Sequence, residues 1–364
     1  MGGDKAPDLV IEGAELARIG HPTVSFLLIG PEERIKNLLV RFPELATVST
    51  IQHTETWVDN NEKPSKALRS GRNSSMGMAL MAVAEGRASG CVSAGNTGAL
   101  MAMAKLMLRP LQGIDRPAIA SYLPTRLGET VMLDLGANTQ CDANNLFQFA
   151  VLGNAFARVV LSIKKPRLGL LNVGSEEMKG RDELRTASQM LRDSPLSDQF
   201  IGFIEGDDIT SGAVDVVVTD GFTGNIALKS AEGTAKMIAQ VLRESIMHSW
   251  LAKLGYPFLT LAIKKFRLRV DPRRYNGAVF LGLNGIAVKS HGGTDAVGYA
   301  NAIKVAIDLV QHEFLRDLRN EIAGLIHSNS QTESTAASPP RSDDERASPT
   351  PASSATLAGV KAQI

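Results

Sequence analysis

Short apolar runs alternate with amphipathic stretches along most of this 364-residue chain. Seven of the runs are rich in Val, Ile and Leu, a composition that predicts β-strands. They cover residues 24–30, 91–95, 118–124, 130–136, 167–174, 200–206 and 214–221. Several are apolar at consecutive positions, which is typical of strands that are covered on both faces of a sheet.

Helical spacing appears between these runs. Apolar side chains recur at steps of three and four residues, the period of an amphipathic helix, at Leu146, Ala150, Gly153 and Ala157 and again at Leu228, Ala231, Ala235, Ile238 and Leu242. Strands that alternate with helices predict an α/β fold with a doubly wound, Rossmann-like sheet. No repeat of fixed period is present, so residues 1–327 are predicted to form a single α/β domain.

Residues 328–364 differ from the rest of the chain. They are rich in Ser, Thr, Pro and Ala and contain almost no large apolar side chains. Such a segment buries too little surface to offset the entropy lost on ordering. We therefore predict a disordered tail here and exclude it from the fold.

The beginning of the chain departs from the doubly wound pattern. That pattern usually opens with a strand whose carboxyl end enters a glycine turn. Here the turn, Gly2-Gly3-Asp4, is present and the strand before it is absent. Two interpretations stay open: Met1 is an internal methionine of a longer chain, or this protein lacks the strand.

Composition narrows the class of protein. A net charge of +1 argues against a polycationic nucleic-acid binder. Two cysteines, Cys91 and Cys141, are too few for a disulfide scaffold and lack the spacing of a metal site. We find no signal peptide and no apolar run of the roughly 18–20 residues that span a bilayer. The sequence predicts a soluble cytoplasmic protein.

The candidate chemistry lies in four loops that follow predicted strands. These loops, rich in Gly, Asn, Ser, Asp and Thr, are residues 93–98, 134–138, 172–177 and 220–225. Open α/β sheets bind ligands beyond the carboxyl ends of their strands, and free amide groups at helix starts suit phosphate. Any single loop of this kind is more often turn and cap chemistry. Four together predict an extended polar cleft that accepts an anion.

Familiar catalytic motifs are absent. The chain has no GxGxxG after its first strands, no GxxxxGK[ST] and no GxSxG elbow. Ser93 and Ser175 are therefore poor candidates for an activated nucleophile. His291, beside Lys289 in KSHGGT, and Lys179, in EEMKGRDE, are candidate phosphate or oxyanion ligands. The plainer alternatives are a structural histidine and a solvated helix start.

Residues 248–274 form a basic, apolar segment with seven Lys or Arg residues and one acid. Helical spacing places Phe258 and Phe266 on one face and Lys264 and Arg267 on the other, although Lys265 falls near the apolar face. This pattern favours an interfacial helix on an anionic membrane. A dimer or core helix with a basic outer face, and a docking patch for an acidic protein, remain alternatives.

Several motifs together resemble the bacterial phosphate acyltransferases of phospholipid synthesis (the PlsX family). They are MGGD (1–4), SAGNTGAL (93–100), DLGAN (134–138), NVGSEEMKG (172–180), IEGDDI (204–209), DVVVTDGFTGNIALKSAEG (215–233) and YNGAVFLGLNGIAVKSHG (275–292), in that family's order. The resemblance runs from residue 1 to about residue 326. Two departures are the missing strand before MGGD and Asp207, where the family often has Arg.

The resemblance implies a reaction and a fold. Long-chain acyl–acyl carrier protein and inorganic phosphate would give acyl phosphate for phospholipid synthesis and free carrier protein. The implied fold resembles those of isocitrate dehydrogenase and phosphotransacetylase. The implied protein is a homodimer without metal or organic cofactor, peripherally associated with the membrane. Its product would pass to a membrane glycerol-3-phosphate acyltransferase.

Residue roles follow as hypotheses. The predicted catalytic residues are Lys179 and His291, which supply charge or hydrogen bonds, Asn225, which donates an amide, and Asp220, which orients a cation or its own loop. The predicted phosphate- or substrate-binding residues are Gly3, Asp4, Ser93, Gly95, Asn96, Thr97, Gly98, Gly136, Asn138, Asn172, Gly174 and Lys289. The predicted contacts to membrane or carrier protein are Trp250, Phe258, Lys264, Lys265, Phe266 and Arg267.

Three rival functions stay open. A phosphate acetyl- or butyryltransferase that uses coenzyme A would share the fold and the phosphate site. A decarboxylating dehydrogenase of the related fold would need a metal carboxylate cluster and a nucleotide site, and neither is evident in the sequence. A membrane-recruited scaffold would bind carrier protein or phosphate without turnover.

Overall fold

The fold comes from a computed structural model that describes residues 1–248, 264, 266, 268, 269 and 271–324. The strands are β1 (Phe26–Gly30), β2 (Ser49–His53), β3 (Gly90–Ser93), β4 (Ala118–Pro124), β5 (Glu129–Leu133), β6 (Leu168–Leu171), β7 (Phe200–Ile204), β8 (Val216–Val218), β9 (Ala278–Leu281) and β10 (Ile286–Lys289).

The helices are α1 (Asp8–Gly20), α2 (Glu32–Leu39), α3 (Pro43–Thr47), α4 (Pro64–Ser70), α5 (Ser75–Ala84), α6 (Thr97–Leu108), α7 (Ala143–Val160), α8 (Asp182–Arg192), α9 (Asp208–Ser211), α10 (Gly221–His248) and α11 (Ala296–Gln311). Short 3₁₀ turns cover Gly71–Asn73 and Pro272–Tyr275. Residues 314–324 are also helical.

A mixed sheet of eight strands forms the centre of the molecule, in the order β3-β10-β9-β4-β5-β8-β6-β7. Strands β5, β8, β6 and β7 are mutually parallel, and β3 is parallel to β10. Three consecutive antiparallel pairings, β10–β9, β9–β4 and β4–β5, lie between these two sets. Because three reversals leave the two sets antiparallel, their carboxyl ends lie at opposite edges of the sheet.

Helices cover both faces of this sheet. Successive side chains of a strand point to opposite faces, so Leu133 packs into one core cluster and its neighbour Met132 into the other. The first cluster joins the strands to α7, α8, α11 and the helix at 314–324. The second joins them to α4, α5 and α6. The result is the doubly wound sandwich that the sequence predicts.

A smaller parallel sheet, β1 and β2, lies apart from the central one. Its core is formed with α1, α2, α3 and α11, through side chains such as Leu28, Ile35 and Leu45. Helix α1 packs along α11. The first part of the chain is thereby joined to the last described helices.

Each of the seven predicted strands corresponds to a strand of the structure, within a few residues at its ends. The sequence analysis missed β2, whose sequence STIQH is polar at three of five positions, and it left β9 and β10 inside a single apolar stretch. The helices predicted around Leu146 and Leu228 are confirmed as α7 and α10.

Helix α10 differs from α7 in one respect. Its apolar side chains are largely exposed after the first two turns, whereas those of α7 are buried. Most of the predicted interfacial segment and the whole predicted tail lie outside the described residues. Among the residues that are described, no helix has the length and apolar character needed to cross a membrane.

Candidate active site

The predicted site residues divide into two clusters that leave the sheet from one row of paired residues. The row crosses four strands through Leu133, Ala120, Val279 and Val288. Asp134 follows Leu133 at one edge of the sheet, and Lys289 follows Val288 toward the other edge. Three strand spacings separate them, about 14 Å. We name the Asp134 cluster (loops 134–138 and 172–180 and the start of α10) and the Lys289 cluster (loops 2–4, 93–98 and 289–293).

Asp134 organises its own loop. Its carboxylate accepts five hydrogen bonds at 2.7–3.2 Å, four of them from backbone N–H groups and one from the Asn138 side chain. Burial raises the pKa of Asp134, and these donors oppose that rise. Asn138 also donates to the Pro117 carbonyl oxygen at 2.9 Å. Both side chains are therefore occupied inside the protein.

The start of α10 packs against this loop. A Cβ at Gly221 would lie 2.8 Å from Asp134 Oδ2, so only glycine allows this approach. Asn225 Nδ2 donates to the Leu135 carbonyl oxygen at 3.0 Å, and a Cβ at Gly136, whose φ is +129°, would meet the same Nδ2 at 3.2 Å. Asn225 thus ties α10 to the 134–138 loop.

Asp220 caps the same helix. Its carboxylate accepts from the Thr223 amide at 2.8 Å, from the Thr223 hydroxyl at 3.0 Å and from the Arg181 guanidinium. Burial would raise the pKa of Asp220, but these donors outweigh it and the pKa is lowered. The amino end of α10 is therefore already supplied with a negative charge.

Lys179 lies in the 172–180 loop, half exposed, and forms an ion pair with Glu176 at 2.8 Å. A Cβ at Gly174 would lie 2.4 Å from Lys179 Cδ, so the lysine chain crosses bare backbone there. Asn172 Nδ2 donates to the Lys179 carbonyl oxygen at 3.0 Å and closes the loop. The hydrogen bond from Glu176 raises the pKa of Lys179.

Arg181 is the residue that the sequence analysis missed in this cluster. It, and not Lys179, pairs with the buried Asp220, while more than half of its side chain stays exposed. Lys179 and Arg181 stand two residues apart in one basic motif, and no spacing rule distinguishes which of them turns inward. A buried acid predicted at position 220 was the available signal, since such a group needs a cation.

The Lys289 cluster has a different electrostatic character. Lys289 is the last residue of β10 and pairs in register with Ser93. Its Nζ donates to the Ser290 carbonyl oxygen. Burial lowers the pKa of Lys289 to about 8, and the Asp4 carboxylate opposes that shift. A buried ammonium of this kind is a candidate ligand for an anion.

His291 is held by its backbone and one ring nitrogen. Its N–H donates to Asn276 Oδ1 at 2.8 Å, and its Nδ1 accepts from the Gly293 N–H at 3.1 Å. The Nδ1 bond assigns the ring proton of the neutral form to Nε2. Burial lowers the pKa of His291, with further lowering by Lys289 and Lys229. His291 is therefore a neutral Nε2–H donor at pH 7.

The two clusters are connected by α10. The charges that act on the His291 pKa include Lys229, Glu232 and Lys236, all from the part of α10 that follows the Asp134 cluster. The helix thus begins at one cluster and passes the other. No contact in the described part of the chain joins Lys179 or Asp220 directly to Lys289 or His291.

The 93–98 loop opens α6 with free donors. Asn96 caps the helix, since its Oδ1 accepts from the Ala99 N–H at 3.0 Å, and its Nδ2 donates to carbonyl oxygens of residues 59, 60 and 62. Asn60 in turn donates to Asp4 at 2.8 Å. The N–H groups of Thr97 and Gly98 have no acceptor among the described residues. They face an anion-binding helix start.

Small residues allow the loops of the Lys289 cluster to meet. A Cβ at Gly3 would lie 3.1 Å from Ala94 Cβ, one at Gly95 2.9 Å from Met76 Cε, and one at Gly98 3.0 Å from Pro64 Cγ. Ser93 Oγ accepts from the Gly95 N–H at 3.2 Å, so it is a loop ligand and has no base beside it. A cleft of about 690 Å³ lies next to these loops, lined by residues 1–3 and 57–66.

The remaining predicted residues fall at the limits of the structure. Lys264 and Phe266 are described, helical and exposed, whereas Trp250, Phe258, Lys265 and Arg267 lie outside the described residues. Within the described ranges no three His, Cys, Asp or Glu side chains come together as a metal site would require.

Comparisons with known proteins agree with this geometry. The profile of the family described as "Fatty acid synthesis protein" matches residues 1–317. The phosphate acyltransferase of Rhodospirillum centenum is 61% identical over 325 residues, 89% of this chain and 92% of that protein. The phosphate acyltransferase of Paramagnetospirillum magneticum is 60% identical over 321 residues, 88% of this chain and 92% of that protein.

Among solved structures, a phosphotransacetylase from Streptococcus pyogenes superposes with a TM-score of 0.58 at 17% identity, over 84% of this chain and 92% of that one. This likeness confirms the predicted phosphotransacetylase-like fold. Identity above one half over nearly the whole of two phosphate acyltransferases, with a family profile that spans both clusters, shows that the chain belongs to the phosphate acyltransferase (PlsX) family of fatty acid and phospholipid synthesis.

Proposed function

We propose that this chain transfers a long-chain acyl group from acyl carrier protein to inorganic phosphate. A phosphate oxygen attacks the thioester carbonyl carbon, the carbon–sulfur bond breaks, and the carrier thiolate leaves and takes up a proton from water. The product is an acyl phosphate. Phosphate is itself the nucleophile, so the reaction needs no activated serine, in keeping with the lone Ser93.

The observation that carries the proposal is the pairing of buried Lys289 with the loop that opens α6. Lys289 supplies a cation, and the N–H groups of Thr97 and Gly98 supply unpaired donors. A phosphate dianion satisfies both, since amide donors and the positive end of a helix favour negative charge. The Asp134 cluster is a poorer phosphate site, because Asp220 already occupies the start of α10.

His291 is the candidate for stabilising the tetrahedral oxyanion. Its neutral Nε2–H is a fixed donor, held from the far side of the ring by the Gly293 N–H. A preorganised donor of this kind lowers the barrier without taking up a proton. Asp220 and Asn225 act in this proposal as positioning residues, which fix α10 as it passes His291. Lys179 stays a prediction, since phosphate would have to displace Glu176 from it.

The predicted partners belong to the same proposal. The basic segment 248–274 would attract the acidic carrier protein and an anionic membrane, and both are favoured by complementary charge. Location in the cytoplasm at the membrane would bring a hydrolysable acyl phosphate close to a membrane glycerol-3-phosphate acyltransferase. Homodimer formation through α10 is supported by its exposed apolar side chains. No metal or organic cofactor and no nucleic acid enters this proposal, and residues 328–364 are proposed to be dispensable for it.

Thiol release from palmitoyl–acyl carrier protein, measured with and without inorganic phosphate, tests the reaction. We expect release that requires phosphate and an equal amount of acyl phosphate. The phosphotransacetylase-like fold makes coenzyme A the alternative donor, so acetyl- and palmitoyl-coenzyme A serve as comparison substrates. Faster phosphate-dependent release from coenzyme A would contradict the carrier-protein donor. Binding of carrier protein without any release would indicate the scaffold.

A further inference from the structure

The small sheet leaves one edge of β1 unpaired. The Phe26 N–H donates to the Val48 carbonyl oxygen, and the Gly30 carbonyl accepts from the Thr54 N–H, so these residues face β2 and its extension. In a parallel pair, alternate residues direct their N–H and C=O groups to opposite sides. The peptide groups of Leu27 and Ile29 therefore point away from β2.

The central sheet ends in a similar way at β3. This strand pairs only with β10, and the Ser93 carbonyl oxygen accepts from the Ser290 N–H. The same alternation turns Gly90 and Val92 away from β10. The Val92 carbonyl oxygen accepts a hydrogen bond from the Tyr299 hydroxyl at 3.1 Å, so a buried side chain supplies one donor on this open edge.

Both open edges line one cleft of about 760 Å³. Helix α5 lies on one side of the cleft through Met76 and Ala79, and helices α1 and α11 lie on the other through Ile11 and Ile303. The only charged side chain among its lining residues is Arg87. Two helix layers thus continue across a gap in the strand layer. Apolar cover on both faces is the environment of a buried parallel strand.

The Gly2-Gly3 turn lies at one end of this gap. A Cβ at Gly30, the last residue of β1, would lie 3.0 Å from Met1 Cγ. A Cβ at Gly2 would lie 3.6 Å from Gly95 Cα, just past the end of β3. Met1 and Gly2 therefore lie between the carboxyl ends of the two strands. A strand that ran between β1 and β3 in their direction would end where Met1 begins.

We propose that the cleft between β1 and β3 accepts one extended, apolar peptide strand that runs parallel to both and ends at Met1. Its peptide groups would bond to Leu27 and Ile29 on one side and to Gly90 and Val92 on the other. The two sheets would become one sheet of eleven strands, the ten present and the one added. A length of about five residues matches β1. Val, Ile or Leu at every position is expected, because both faces are covered.

The test adds the strand and removes only its hydrogen bonds in the control. One variant carries a five-residue Val/Ile extension joined directly to Met1. The matched variant carries the same extension with proline at its second and fourth positions, which lack the N–H that a central strand needs. Melting temperature and amide hydrogen exchange are measured for both and for the unextended chain.

We expect the Val/Ile extension to raise the melting temperature by about 5 °C. It should also slow exchange of the Leu27, Ile29 and Gly90 amides by at least about tenfold, since exchange requires those bonds to open. The proline variant should match the unextended chain. Equal melting temperatures and equal exchange for the two extensions would overturn the proposal.

A second occupant is tested on the unextended chain. An acyl chain would also fit apolar walls, so exchange at the same amides is followed with palmitoyl–acyl carrier protein present. Acyl chains contain no N–H or C=O groups at strand spacing and should leave the Leu27 and Gly90 amides unprotected. Strong protection by the acyl substrate would overturn the strand proposal and assign the cleft to lipid. Neither experiment reads turnover, so failure of the proposed reaction does not affect it.

Discussion

Lys289 is the residue on which phosphate recognition depends most directly. Its burial lowers the pKa to about 8, so its charge is lost within the range where most enzymes are assayed. The sign for stability follows from the same shift. Between about pH 8 and the ordinary pKa of 10.5, the unfolded chain binds more protons at this lysine than the folded one, so the lysine's contribution to stability rises with pH.

Replacement of Lys289 separates binding from folding. Lys289→Met should raise the KM for phosphate by about 10- to 100-fold, the size of a lost charge-assisted hydrogen bond, and leave the melting temperature unchanged or higher. In the natural chain the KM should rise above about pH 8, and Lys289→Arg should remove that rise because arginine stays charged. Steady-state kinetics from pH 6.5 to 9.5 measure this. An unchanged KM in Lys289→Met contradicts the assignment.

The Arg181–Asp220 pair gives the opposite pH dependence. Asp220 is 3% exposed and its pKa is lowered, so the stability it contributes is present above its unfolded pKa of 3.8 and is lost as pH falls through the folded value. Arg181→Ala should cost about 1–3 kcal/mol at pH 7 and less at acid pH. Urea unfolding at pH 7 and pH 4 measures it. Lys36→Ala, which breaks an exposed pair with Glu32, is the control and should change little.

Among the elements, α10 is unusual in exposing an apolar stripe. Met237, Ile238, Val241 and Leu242 are 58%, 50%, 55% and 43% exposed and recur at helical spacing. The sequence predicted this helix and its apolar face correctly, yet periodicity reports only that a face is apolar. Whether a face packs inside one chain or against another depends on what the fold places beside it.

A charge on this stripe should disrupt the proposed homodimer. Ile238→Glu should convert a dimer to monomer at micromolar concentration, because a carboxylate would be buried unpaired in the interface. Light scattering coupled to gel filtration measures the mass, and circular dichroism confirms that the helices remain. Gln240→Lys on the same helix adds charge beside Glu244 and should leave the dimer intact. Monomer for the unmodified chain would refute the role of α10.

At the scale of the whole molecule, sequence patterns predicted the strands, the sandwich and the composition of the loops. They did not predict that loops 93–98 and 134–138 lie at opposite edges of the sheet. Gly95 and Gly136 follow similar apolar strands, and nothing local to either shows strand direction. Direction is set by β4 and β9, which insert three antiparallel pairings between them. β9 and β10 had merged into one apolar stretch in the sequence, so this reversal stayed hidden.

The boundary of the domain gives a further prediction. The family profile ends at residue 317, and Phe314, Leu318 and Ile322 are buried in the main core. A chain that ends at residue 327 keeps that helix and should retain full turnover and melt within about 2 °C of the intact protein. Calorimetry and the thiol-release assay measure both. A large loss of either would show that residues 328–364 contribute to the folded enzyme.

The free amide groups of Thr97 and Gly98 beside Lys289 have a chemical consequence. Such a site recognises charge and tetrahedral shape and makes no bond to the central atom of its ligand. Arsenate has the same shape and charge, so it should enter and attack the thioester in place of phosphate. The acyl arsenate formed would hydrolyse at once to fatty acid and regenerate arsenate. One equivalent of arsenate would then discharge many equivalents of carrier-bound acyl chain with no activated product left behind.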